Sequence, residues 1–112
     1  MKPENEPSWR SLREAKELPG KTFREVHRAI NAVFGFGESA IRSKARQYPV
    51  TRARHAFLLA SCMAGRLEQD ASEWLGRNCR SVEDAFTAAK NRYETEPDFR
   101  SDFAKAIKLL KG

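Results

Sequence analysis

Apolar residues recur along this chain at helical intervals, and no stretch alternates in the manner of a strand. Phe23, Val26, Ile30 and Val33 follow one face behind the capping-box sequence Thr22-Phe23-Arg24-Glu25, which predicts a helix from 22 to about 34. Gly35 and Gly37 close it. Residues 38–45 suit one short helix anchored by Ile41. The Tyr48-Pro49 step then predicts extended backbone, because the residue before a proline disfavours the helical region. Thr51 becomes the expected cap of the next helix, running to about Ala64. Ala53, Phe57, Ala60, Ser61 and Ala64 line one face of it, and Leu58, Leu59, Cys62 and Met63 widen that face. So broad a band requires neighbours on several sides, and this is the expected central helix.

Leu67, Ala71, Trp74 and Leu75 mark a short helix over 68–75, followed by a turn over 76–80. Ser81-Val82-Glu83-Asp84 has capping-box form and opens a helix whose inward residues are Val82, Ala85, Phe86, Ala89 and Tyr93. Residues 95–98 are expected to cap a last helix that buries Phe99, Phe103, Ala106, Ile107 and Leu110. At the other end, residues 1–7 read as a loose tail. Ser8 or Ser11 could cap a helix to about Leu18 carrying Trp9, Leu12, Ala15 and Leu18 near one face, ended by Pro19-Gly20. That helix is expected to fold back on the core, with a partner or dimer contact as the other reading. The expected fold is all-α with about six helices, arranged as an N-terminal tail and helix over 1–20 and one domain over 21–112.

Composition narrows the functional classes. At 112 residues the chain can bury a core without metal or disulfides. No apolar run approaches the roughly 18 residues of a membrane span, and the N-terminus lacks a signal-peptide core. Cys62 and Cys79 have neither metal-ligand spacing nor the number for a disulfide scaffold. A cytoplasmic protein without a cofactor is expected. No nucleophile, base and orienting group recur together, so no enzyme activity is expected. His27 reads as a surface residue, and Trp74 as a brace for the turn against the core, with a stacking platform for a base as the lesser reading. For Cys79 a small residue tolerated in the turn is the plainer reading, with a redox-sensitive thiol as the sharper one.

Charge changes the picture most. Residues 39–67 contain Arg42, Lys44, Arg46, Arg52, Arg54 and Arg66 and no acid, whereas the other 83 residues hold 15 basic and 15 acidic side chains. The net +6 of the protein lies in that window, and concentrated positive charge most often meets phosphate. Arg52, Arg54 and His55 would crowd the first turn of a helix from Thr51, where they oppose the helix dipole. An external anion explains that placement better than helix electrostatics does. Just downstream, the helices over 68–75 and 81–94, joined by a glycine-containing turn, have the form of a helix-turn-helix, in which the start of the second helix reaches base edges.

Three stretches resemble the C-terminal DNA-binding domain of the bacterial replication initiator DnaA. They are IRSKARQYPVTRARHAFLL over 41–59, LGRNCRSV over 75–82, and DFRSDFAKAIKLL over 98–110. The resemblance implies a Trp-repressor-like helical domain that binds double-stranded DNA, bacterial and nucleoid-associated. It implies a minor-groove arginine at Arg46, phosphate contacts from Arg54 and His55, a turn arginine at Arg77, a buried seat at Val82 and a hydroxyl contact at Ser81. The chain departs from the pattern where the family reads bases: Asn78, Cys79 and Arg80 replace Asp-His-Thr. Cys62 replaces a basic residue, Gly65 replaces a threonine, and Glu83 and Asp84 add acid to the start of the second helix. Arg80 could read guanine through O6 and N7. No Gly-x-x-x-x-Gly-Lys-Ser/Thr loop is present, so no nucleotide is expected, and the resemblance implies a free-standing domain without the initiator's ATPase module.

The expected DNA-contacting set is therefore Lys44, Arg46, Arg52, Arg54, His55, Arg77, Asn78, Cys79, Arg80 and Ser81. Neutralising about five phosphates would give a slope near −4.5 for log K against log salt. The expected role is a transcriptional regulator or a modulator of replication initiation. The alternative is a protein-interaction module that kept the fold, lost specific DNA binding and meets a replication or transcription protein.

Overall fold

A computed structural model describes residues 9, 18, 20–44, 47–66 and 68–111. Among them every regular element is a helix: α1 Phe23–Phe34, α2 Glu38–Arg42, α3 Tyr48–Met63, α4 Glu68–Leu75, α5 Cys79–Thr95 and α6 Pro97–Lys111. The all-α expectation holds. None of these helices is long and apolar enough to cross a membrane. The helix expected between Ser8 and Leu18 lies outside the described residues except at Trp9 and Leu18, and both of those are buried. Trp9 meets Phe86 and Tyr93 edge-on, with ring centroids 5.9 and 6.1 Å away, and its backbone N–H donates to Glu94 Oε2 at 3.2 Å. At these two points the chain folds back on its own core.

The capping box at α1 forms as the sequence spells it: Thr22 Oγ1 accepts from Glu25 N–H, and the Glu25 carboxylate accepts from Thr22 N–H. Gly35 closes the helix at φ 81°, a left-handed conformation that a side chain would disfavour. α3 runs through the middle and packs on α1, α2, α4, α5 and α6. Its Ala53, Ala56 and Ala60 are buried, and these small side chains let neighbouring helices come close. The five buried positions of α6 are the five that its apolar spacing predicted: Phe99, Phe103, Ala106, Ile107 and Leu110.

Two helix starts differ from expectation, and both differences bear on the site. α3 begins at Tyr48, with Gln47 as the extended N-cap residue at φ −64°, ψ 143°. Pro49 is accepted because a first-turn residue has no intrahelical N–H bond to lose. Thr51 is thus the fourth helical residue and not the cap. Arg52, Arg54 and His55 stand beyond the first turn, where the dipole penalty has largely faded. Likewise α5 begins at Cys79. Asn78 is its N-cap, with Oδ1 accepting from Ser81 N–H at 2.8 Å. The expected Ser81 cap is instead the third helical residue, and Glu83 and Asp84 fall beyond the first turn. Two shorter corrections concern α2, which ends at Arg42 and not near Ala45, and Thr95, which is the last residue of α5.

Trp74 on α4 stacks on Phe57 of α3 at 4.7 Å and 22°, with Phe23 on its flank at 6.0 Å. It braces α4 against the core, just before the turn that it was expected to brace. His27 is half-buried beside it, at 6.2 Å, and is not the free surface residue that the sequence suggested.

Candidate nucleic-acid interface

The short α2 leaves carbonyls at its C-terminal end without helical partners, and Arg54 of α3 collects them. Its Nε–H donates to Ile41 O at 2.8 Å, and its Nη2–H donates to Ser43 O at 3.0 Å and Ala40 O at 3.4 Å. A guanidinium supplies several donors in a fixed fork, which suits this task. Arg54 is only 5% exposed. Burial, and then the neighbouring Arg77 cation, push its guanidinium below the ordinary arginine range.

His55 is also turned inward, at 6% exposure. Its Nδ1 accepts from Arg92 Nε–H at 3.1 Å. Burial, then Arg92, then Arg54 lower its pKa from 6.5 to about 4, so the imidazole is neutral at pH 7. Arg52 forms an ion pair with Asp102 at 2.7 Å, and its guanidinium lies 5.1 Å from the Phe34 ring centre and 5.7 Å from that of Phe99. Arg66 donates to Lys21 O at 2.9 Å and Gly20 O at 3.4 Å, fixing the segment that leads into α1. Half of the basic window therefore has work inside the fold. Arg42 is half exposed, with Glu38 as its partner and Trp74 beneath it. Lys44 is exposed, and Arg46 lies outside the described residues.

One contact joins the two halves of the expected site. Arg77, in the turn between α4 and α5, donates through Nη2–H to Ser43 O, the same carbonyl that Arg54 reaches. Ser72 Oγ–H in turn donates to Arg77 O, and Gly76 supplies the positive φ, 70°, on which the turn reverses. Lys44 follows Ser43 directly, so this link ties its segment to the turn that leads into α5. There Cys79, Arg80 and Ser81 form the first three helical positions, all exposed. Between α3 and α5 runs a cleft of about 300 Å³ lined by Thr51, Arg54, His55, Arg77 and Ser81 over an apolar floor of Leu58, Leu75, Val82 and Ala85.

Of the expected contact set, Lys44, Cys79, Arg80 and Ser81 are exposed together with Asn78, whose side-chain oxygen is already the helix cap. Arg77 is half-buried, Arg52 is largely covered, and Arg54 and His55 face inward. Residues that sequence reading missed are Arg92 and Asp102, which hold His55 and Arg52 from 37 and 50 positions away. No local pattern marks such partners. A scan against family models, a search of curated proteins and a search of solved structures each found no match to this chain.

Proposed function

We propose that this protein binds double-stranded DNA through α4 and α5, used as a helix-turn-helix in a Trp-repressor-like domain of the DnaA C-terminal kind. Its role would be that of a transcriptional regulator or a modulator of replication initiation. The observation that supports this reading is the bond from Arg77, in the turn that leads into α5, to the carbonyl of Ser43, the residue before Lys44. A basic loop beside an exposed helix start that carries Arg80 and Ser81 is the pairing of phosphate grip and groove-entering end that such recognition needs. Lys44 and Arg46 hold the backbone, Arg80 and Ser81 meet base edges, and Asn78 fixes the helix end that presents them. The inward-facing Arg54 shapes the loop, so its effect on DNA is indirect.

A second reading has an observation of its own. Arg54 and His55 are withdrawn from the surface, while Glu83 and Asp84 are exposed on the next turn of α5. Both facts favour a protein partner over phosphate. Selection from a random duplex pool separates the two. An enriched motif that changes in Arg80→Ala supports the DNA reading, and failure of any duplex to bind leaves the protein-partner reading.

A further inference from the structure

Two guanidinium groups from different parts of the chain converge on one backbone oxygen. Arg54 reaches Ser43 O from α3, and Arg77 reaches it from the turn before α5. Ser43 itself is fixed from below, with Oγ–H donating to Ala40 O at 2.6 Å and its N–H donating to the same oxygen at 3.1 Å. The Arg77 main chain is fixed as well, since its N–H donates to Ser72 O at 3.0 Å and its carbonyl accepts from Ser72 Oγ–H. Each end of the Arg77–Ser43 link is therefore anchored, and the link spans 34 positions of sequence. It connects the segment carrying the exposed Lys44 to the turn that leads into the exposed start of α5.

We infer that Arg77 is a positioning residue, whose bond to the Ser43 carbonyl sets the spacing between the Lys44 loop and the first turn of α5. This inference rests on the DNA-binding reading above, and assigns Arg77 to register on the duplex and not to a phosphate. Two like charges at one carbonyl repel each other, so the arrangement is held by the carbonyl and the anchored backbones together. Phosphate grip and base reading must be in register for either to be productive, because a duplex offers fixed distances between phosphates and base edges. Losing one charge-assisted hydrogen bond that fixes that register should cost about tenfold in affinity or more.

The variants Arg77→Ala and Ser72→Ala test this together, because Ser72→Ala frees the turn while keeping every cation. Circular dichroism melts establish that both fold. Spin labels at positions 44 and 79, in a Lys44→Cys, Cys62→Ala background, report the loop-to-helix distance by electron paramagnetic resonance. In the otherwise unaltered chain, duplex titrations across salt report affinity and slope. The expected result is a broadened distance distribution in both variants, with duplex affinity about tenfold weaker and the slope of log K against log salt unchanged. An unchanged distance distribution overturns the inference. So does a slope shallower by about 0.9 in Arg77→Ala with unaltered binding by Ser72→Ala, since that marks a direct phosphate contact. If the unmodified protein binds no duplex, the DNA reading fails, and the label distances alone decide whether Arg77 sets the loop.

Discussion

Arg92 Nε–H donates to Nδ1 of His55 at 3.1 Å, and this bond requires a neutral imidazole. The consequence is a pH dependence of stability with a definite sign. The unfolded imidazole takes up its proton near pH 6.5, the folded one only near 4. Between those values the unfolded state binds more protons, so stability rises with pH. The contribution is complete above about pH 6.5 and is lost progressively as the pH falls toward 4. The full shift corresponds to about 3 kcal/mol at most. Urea unfolding at pH 7 and pH 5 should show a lower midpoint at pH 5, and His55→Gln should flatten that difference.

Arg54 is a structural hub, so its removal should be felt first in stability. Arg54→Ala leaves the Ile41 carbonyl without its buried donor and removes one of the donors to Ala40 O and to Ser43 O, and a loss of about 1–3 kcal/mol is expected. Arg54→Lys should recover little, because an ammonium cannot match the fork. Chemical denaturation measures both. A midpoint unchanged in Arg54→Ala would mean that the carbonyls are satisfied some other way.

These two residues also show what the sequence made legible. The Thr22 capping box, the Ile41 anchor, the bounds of α4 and the inward face of α6 depend on neighbours within a turn or two, and local pattern located them. The start of α3 was misplaced because a proline accepted in a first turn looks like one that ends extended backbone. The start of α5 was misplaced because Asn78 and Ser81 can both cap, and only the fold decides between them. By charge pattern alone the basic window reads as surface charge. Arg54 and Arg66 serve instead as donors to carbonyls, and Arg52 pairs with Asp102, all on segments distant in sequence, and that role becomes visible only when the chain is folded. Lys44 and Arg80, which have no such partner among the described residues, are where charge pattern and folded geometry coincide.

Asn78 can be assigned by separating its cap from its amide. Asn78→Ala should cost about 1 kcal/mol through loss of the bond to Ser81 N–H, whereas Asn78→Ser, which retains a capping oxygen, should cost a few tenths at most. Thermal melts read this directly. If Asn78→Ser kept its stability and yet lost most of its duplex affinity, the amide would be touching a base as well as capping the helix.

The salt dependence of duplex binding tests the central claim most directly. With Arg52 and Arg54 engaged inside the fold, His55 neutral and Arg77 assigned to the Ser43 carbonyl, three cations of the expected contact set remain to displace counterions, Lys44 and Arg46 at phosphates and Arg80 in the groove. Three such cations give a slope of log K against log salt near −2.7, shallower than the −4.5 that about five neutralised phosphates would give. A fluorescence-anisotropy titration of a labelled duplex at several salt concentrations measures it. A slope near −2.7 is the predicted result. A slope indistinguishable from zero, or no binding at low salt, would contradict the account.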